Sequence, residues 1–326
     1  MNNEKFIESW FDCKINNQRV RRHHYGHLYA DDDAVYSYGD HFPLATLCEN
    51  GFLLNGDRYS STTTSHQDLT RSICMEICKD AKLKFAVIPF TVLNNADLTP
   101  IRKIEIMDKT EEQYRDVKYT DKNGRKQIRQ EHLLGGSVIK YNQKHFLSST
   151  DTTSATWGNG YFLTELAEPV ESVEEAFESL KPLLVKQFEC ELEDSEAPSD
   201  LILRQGEWFF VKIDRESFVK PVKFCKGIMC MEKIAMRNEF LPSGDSATAH
   251  HRATRLIYIG NGKGCYFDKK EKRHVSYRIA PGFYCRGTIR HVNGEHKMLK
   301  LGNGKEWYHA VRNRQVRSWS YDGRVD

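Results

Sequence analysis

The sequence predicts an α+β N-terminal region with antiparallel strands and two main helices, followed by a mainly β C-terminal region forming a small barrel or sandwich. Three observations predict this. Short apolar runs near the start are separated by Gly39-Asp40, Asn50-Gly51 and Asn55-Gly56-Asp57, which are turn signals between strands. Two segments pair a capping signature with an apolar stripe at helical spacing. Beyond an acidic stretch, apolar runs recur about every 8–12 residues between glycine-rich turns, the pattern of a small all-β unit.

Taken in order, residues 5–11 place Phe6, Ile7, Trp10 and Phe11 at helical spacing and predict a short docking helix. Strand-like runs follow at 34–38, 42–48 and 52–54, with the Asn50-Gly51 pair predicting a hairpin between the last two. Ser65 with Asp68 reads as a capping box opening a helix to about Ala81, striped by Leu69, Ile73 and Ile77. Residues 82–90 read as a core strand. Alternation predicts strands at 101–107, 114–119, 126–132, 137–141, 145–147 and 161–166. Ser172 with Glu175 caps the second clear helix, whose stripe is Val173, Ala176, Phe177 and Leu180. Pro182 ends that helix or opens a second turn running to about Phe188.

Residues 190–200, CELEDSEAPSD, are acidic, poor in apolar side chains and contain Pro198, so they read as a linker. Candidate strands beyond it are 207–213, 218–224, 255–259, 264–267, 274–279, 283–291, 297–301 and 306–311. The expected organisation is an α+β domain over 1–170, a capped helix and acidic linker over 171–200, and a basic β-rich domain over 201–326.

Charge separates these regions although the total hides it. The chain carries 48 basic and 45 acidic residues, a net of +3. From Arg204 to Asp326 there are 25 basic and 12 acidic residues, while the remainder carries 23 and 33. A +13 region joined to a −10 region points to a polyanion partner for the basic part, or to attraction between the two parts. No apolar run approaches the roughly 18 residues that span a bilayer, and the N-terminus lacks the apolar core of a secretory signal. The nine cysteines lack framework spacing, which fits reduced thiols and a cytoplasmic setting. Cys74 and Cys78 share one helix face and read as small buried hydrophobes, like Cys225 and Cys230.

Several chemistries are disfavoured. The run Gly260-Asn261-Gly262-Lys263-Gly264 is not a dinucleotide fingerprint, and Gly304-Lys305 is followed by glutamate where a phosphate-binding loop needs serine or threonine. No nucleophile elbow, HExxH pair or kinase signature occurs.

Histidines are the chemistry-bearing residues that remain. His250, His251, His274, His291, His296 and His309 fall in the last third, where aromatic residues are threaded among 17 basic and 6 acidic residues from Arg252 to Asp326. Cations neutralise phosphates, and aromatic faces stack unpaired bases at about 1–3 kcal/mol each. The expected nucleic-acid surface is Arg252, Arg255, Tyr258, Tyr277, Arg286, Trp307, Arg312 and Arg314. His291 and His296 flank the Asn293-Gly294 turn, with Arg290 beside them and His309 in a nearby strand. Two imidazoles can divide general acid and base work on a phosphodiester, with arginine stabilising the developing charge. The expected catalytic set is therefore His291, His296, His309 and Arg290. The same cluster, with His250 and His251, offers imidazole ligands to a metal, but no spacing defines a ligand set and no metal is assigned.

A second cluster comprises His23, His24, His27, Asp31, Asp32, Asp33, Asp40, His41 and Asp57. Its spacing matches no defined ligand set, and consecutive aspartates usually mark a turn. Tyr59, Thr62, Thr63, Thr64, Ser65 and His66 make an anion-friendly corner at a helix start.

Three segments, Gly56-Asp57-Arg58-Tyr59-Ser60, Arg204-Gln205-Gly206-Glu207-Trp208-Phe209-Phe210 and Arg286-Gly287-Thr288-Ile289-Arg290-His291, resemble an uncharacterised family of bacterial and mobile-element (phage or plasmid) proteins. The resemblance spans most of the chain and implies a phage- or plasmid-related role, without an activity or a catalytic residue.

The expected function is that of a cytoplasmic nucleic-acid-binding protein, single strands favoured, with a nuclease or phosphodiesterase activity at the histidine cluster. The alternative is a non-catalytic protein-interaction or assembly factor of a mobile element. In that case the acidic and basic regions pair within the chain or in a homo-oligomer.

Overall fold

The computed structural model describes all residues except 58, 112, 121–125, 134, 152–159, 193–200, 214–235, 243–249, 261–262, 269–272, 279–280, 293–295, 316 and 322–326. For 113–120, 126–133, 151, 160, 191–192, 263–268, 273–278 and 320–321 it describes the backbone alone. The chain divides into two compact units. One is Met1–Thr152, Gly158–Leu180 and Gln315–Asp326; the other is Thr153–Trp157 and Lys181–Arg314. Among the described residues, no helix is long and apolar enough to cross a membrane.

The first unit is α+β. Helix α1 (Asn3–Ile15) is capped by Asn2, whose side chain accepts the Lys5 N–H at 2.8 Å, and it buries Phe6, Ile7, Trp10 and Phe11 as their spacing requires. An antiparallel meander follows: β1 (His23–Tyr25), β2 (Leu28–Ala30), β3 (Ala34–Ser37), β4 (Phe42–Cys48) and β5 (Gly51–Asn55). The Asn50-Gly51 hairpin brings Cys48 opposite Gly51. Helix α2 (Ser61–Ala81) then crosses over, so β6 (Lys84–Ile88) pairs parallel with β5. This helix starts earlier than expected. Ser60, not Ser65, is the cap, accepting the Thr63 N–H at 3.2 Å from an extended backbone, while the Ser65 hydroxyl donates to the Ser61 carbonyl inside the first turns. Cys74 and Cys78 are buried, with their sulfurs 3.6 Å apart.

A short helix, α3 (Phe90–Asn95), fills the end of the run expected as strand, because Pro89 ends the strand and leaves no donor for pairing. Residues 101–103 form a 3₁₀ turn, and the strand begins later as β7 (Glu105–Thr110). The hairpin of β8 (Gln113–Thr120) and β9 (Lys126–Leu133) stands as its own two-stranded sheet. Next come β10 (Gly136–Tyr141), β11 (Lys144–Asp151) and β12 (Gly160–Glu165). The terminal strand Arg317–Tyr321 returns to pair with β12, giving a sheet ordered Arg317–Tyr321, β12, β11, β10, β7. Helix α4 (Val173–Leu180) begins where the Ser172 hydroxyl accepts the Glu175 N–H at 3.1 Å, and it packs Val173, Ala176 and Leu180 against Val138 and Leu147.

The second unit is mostly sheet. Helix α5 (Leu183–Leu192) is followed by β13 (Ile202–Gln205), β14 (Trp208–Lys212), β15 (Met236–Phe240) and β16 (His251–Ile259). The hairpin of β17 (Lys263–Asp268) and β18 (Arg273–Arg278) precedes β19 (Gly282–His291), β20 (Leu299–Lys300) and β21 (Tyr308–Arg312). The main sheet is antiparallel, ordered β13-β14-β21-β19-β16-β15, with β20 beside β19. One of its faces holds the core of Trp208, Phe210, Leu256, Cys285, Ile289 and Tyr308. On the other, Val185 of α5 packs against Phe209 and Val211, and Ile257 and Tyr284 are buried further along the same face. The strand expected at 218–224 and the linker segment 193–200 lie outside the described residues.

Candidate functional site

The sheet of the second unit sorts its side chains by register. Ala253 of β16 lies opposite Ile289 of β19, and Leu256 lies opposite Cys285; all four belong to the buried core. Residues in register share a face and neighbours along a strand alternate, so Arg252, Arg255, Arg286 and Arg290 point to the face away from that core. A bulge between Ala253 and Arg255 keeps both stretches in phase. Gly287 supplies the left-handed backbone there, at φ +93°, and a Cβ on it would come within 2.9 Å of the Thr254 side chain.

Two rows of guanidinium groups result. Arg237 of β15, Arg255 and Arg286 are successive register partners across three strands, and Arg252 stands opposite Arg290 one step further along. Arg237, Arg252 and Arg290 are exposed. Aromatic rings lie within these rows: the Arg252 guanidinium sits 4.2 Å from the Phe240 ring centre, and Arg286 sits 5.4 Å from that of Trp307. Of the described carboxylates of this unit, Glu239 lies opposite Ala253 on the core side, and three others lie beside other cations or His251. Glu306 pairs with Lys212 at 2.9 Å, Glu189 with Lys181 at 2.9 Å, and Glu207 lies beside His251. Among the described residues, none pairs with Arg237, Arg252 or Arg290.

The expected nucleic-acid residues divide accordingly. Arg252, Arg255, Arg286 and Trp307 share this face. Tyr258 does not: it pairs with Phe283, two positions from Leu256, and so points to the core side, 57% exposed. Arg312, opposite core-facing Trp208, is also on that side, and exposed Arg314 lies just past β21. The backbone of Tyr277 is in β18, and its side chain lies outside what is described. Arg237 was not singled out because its strand is polar and gives no apolar signal.

A histidine cluster occupies the core-side end of the same sheet. His251 and His291 are register partners, so both imidazoles project to one side. His296, in the segment that returns toward β20, brings its ring 5.3 Å from His251 and 4.8 Å from His291, centre to centre. The three can each offer a nitrogen, all within 4.8 Å of one another. His251 and His291 are buried and His296 is half-buried. The His250 ring sits at the rim, 5.3 Å from His291. The site is closed by the turn between β13 and β14, where Glu207 Oε1 lies 3.6 Å from His251 Nδ1. Gly206 holds φ +56° there, and a Cβ on it would come within 2.8 Å of His296 Nε2. Buried Gln205 donates its side-chain amide to the Lys297 carbonyl, tying the His296 segment to this turn.

The expected catalytic set is thus only partly assembled. His291 and His296 meet, but His309 does not join them. It pairs with Tyr284, seven positions from His291 along β19, or about 23 Å at roughly 3.3 Å per residue. There it stacks on the Tyr284 ring at 4.6 Å, and burial pushes its pKa down to about 4. Arg290 also does not join, because it adjoins His291 on an extended strand and faces the opposite side. His251 takes the place expected of His309. Register brings it there, and nothing in local sequence marks that pairing.

The N-terminal acidic cluster is occupied by its own contacts. Asp32 pairs with Lys14 and lies 3.9 Å from Arg102; Arg102 also pairs with Asp33, and Arg22 with Asp40 at 3.1 Å. Asp31 accepts the N–H groups of Asp33 and Ala34 in an Asx turn. His24 and His27 stack on Tyr29 and Tyr38, the ring of His23 lies against Phe6, and His66 Nδ1 is 2.8 Å from the Ser37 hydroxyl. Burial and the neighbouring His27 lower the pKa of His66. Asp57 is the buried member: its Oδ2 accepts from the Thr91 N–H and hydroxyl, both at 3.0 Å, and burial raises its pKa. Comparison of the chain with protein-family models, curated proteins and solved structures yields no match.

Proposed function

We propose that the protein binds nucleic acid, single strands in preference to duplex, on the arginine face of β15, β16 and β19. The observation that supports this is the register. It aligns five guanidinium groups on one side of three adjacent strands, two of them over aromatic rings. Like charges directly opposite in a sheet are destabilising, so these rows have an energetic use for a polyanion. Phosphates neutralise the guanidiniums and release counterions, and the interleaved Phe240 and Trp307 offer half-buried surfaces against which unpaired bases stack.

Fluorescence anisotropy of the full chain with labelled single-stranded DNA, single-stranded RNA and duplex DNA, across salt, tests the reading. Three phosphate contacts, from exposed Arg237, Arg252 and Arg290, to a single strand give a slope of log K against log salt of about −2. A combined Arg237→Ala, Arg252→Ala, Arg290→Ala chain should lose most of that slope. Absence of binding at low salt overturns the proposal. A salt-sensitive oligomer without nucleic-acid affinity would replace it with the assembly-factor reading.

A further inference from the structure

We infer that His251, His291 and His296 form a site for one transition-metal ion of the zinc class, with Glu207 orienting the first of these ligands. Three observations lead there, independently of the arginine face.

The ligand chemistry is specific. The group consists of three imidazoles, and the nitrogens they offer lie within 4.8 Å of one another. Imidazole nitrogen suits zinc, copper, nickel and iron, whereas calcium and magnesium prefer oxygen. At a Zn–N distance of about 2.0–2.1 Å, tetrahedral ligands stand roughly 3.4 Å apart, so the ion draws the present nitrogens together by at most about an ångström and a half. His296 has the freedom to supply that movement, being half-buried and outside any long strand.

The surroundings are arranged as metal sites arrange them. Glu207 Oε1 lies 3.6 Å from His251 Nδ1. That is slightly longer than a hydrogen bond; a small shift of the ring would close it, and a carboxylate bonded to Nδ1 fixes the tautomer and leaves Nε2 for the ion. The space is also kept open by backbone: a Cβ on Gly206 would stand 2.8 Å from His296 Nε2 and 3.4 Å from His251 Nε2. Both nitrogens therefore converge on one small region that a larger residue would fill.

The elements joined are distant in sequence. The ion would link the β13–β14 turn, through Glu207, to the start of β16, the end of β19 and the segment leading to β20. No fourth His, Cys, Asp or Glu belongs to the group among the described residues, so a water or small anion completes the coordination. The arginine rows face the other side of the sheet, so the ion and the proposed nucleic-acid surface act separately.

The test uses the untagged full chain, stripped with chelator and titrated with Zn²⁺ against a chromophoric competitor, and separately with Co²⁺. One ion per chain is expected, with intense visible Co²⁺ bands of four-coordinate nitrogen ligation. His296→Ala should weaken Zn²⁺ binding at least 100-fold and Glu207→Gln by 10–100-fold, while His309→Gln changes nothing. His296 is the ligand whose loss least disturbs folding, and circular dichroism of the metal-free chain checks that it does not. Zn²⁺ should raise the melting temperature of the unaltered chain and leave that of His296→Ala unchanged. Weak six-coordinate Co²⁺ bands, or equal affinity in the unaltered chain and His296→Ala, overturn the inference whether or not nucleic acid binds.

Discussion

Arg252 and Arg290 stand directly opposite one another on β16 and β19, both exposed, on the face turned away from the core that their neighbours Ala253 and Ile289 enter. The pairing repeats a step away as Arg255 and Arg286, with Arg237 beyond. Packing does not demand such rows. The neighbouring core positions already fix the register, so the facing charges are not needed to set it and carry a small cost in stability.

Replacing Arg290 by threonine separates this cost from nucleic-acid binding. Threonine suits a strand and removes one of two facing like charges, so stability in denaturant titration should stay level or rise by up to about 1 kcal/mol. Single-strand affinity should fall similarly for all sequences, with the salt slope shallower by about 0.7. A loss of stability would mean that Arg290 serves the fold.

His309 provides a pH prediction. Its pKa is pushed from its ordinary value to about 4 by burial against Tyr284. The unfolded chain therefore takes up a proton near pH 6.5 that the folded chain refuses until about 4. Stability is fully present above 6.5 and is lost as pH falls from there towards 4. The full shift corresponds to about 3 kcal/mol, and its partial exposure reduces this to about 2 kcal/mol. His309→Gln should flatten the slope of unfolding free energy against pH across that window.

Asp57 runs in the opposite sense. Burial raises its pKa against the opposing Thr91 bonds, so its contribution to stability is present at low pH and lost as pH rises through the raised value. Asp57→Asn keeps an acceptor for the Thr91 N–H and removes the buried charge. It should gain about 1 kcal/mol at pH 7 and less at pH 4. Destabilisation at pH 7 would show that the charge itself is used.

The two serines at the start of α2 are distinguishable in the same way. Ser60 accepts the Thr63 N–H as cap, whereas Ser65 bonds back to the Ser61 carbonyl. Ser60→Ala should cost about 1 kcal/mol and Ser65→Ala less than about 0.5 kcal/mol. The reverse order would restore the helix start that the Ser65–Asp68 spacing suggests.

How far the molecule was legible follows from which interactions are local. The Asn50-Gly51 hairpin, the α1 stripe and the Ser172 cap depend on residues a few positions apart, and they appear where spacing puts them. The parallel pairing of β5 with β6 depends on the direction of a 21-residue crossover helix, which alternation does not encode. The site is harder still. Arg237, Arg255 and Arg286 align, and His251 meets His291, only through cross-strand register and a bulge at Gly287. His309 seemed close because β21 follows soon after β19. Pairing with Tyr284 instead carries it to the far end of the strand.

Gly206 joins the fold to the histidine cluster in one residue. Its φ of +56° lies in the left-handed region, where an L side chain costs about 1–2 kcal/mol. A Cβ would also stand 2.8 Å from His296 Nε2. That neighbour is the far end of a side chain on a half-buried segment, so it is able to yield. Gly206→Ala should therefore fold with a loss of about 1–2 kcal/mol, while displacing His296 from His251 and His291. Thermal melting should show the modest loss, and Zn²⁺ affinity should drop much as in His296→Ala. Unchanged affinity in Gly206→Ala would mean that the turn does not shape the space between the imidazoles.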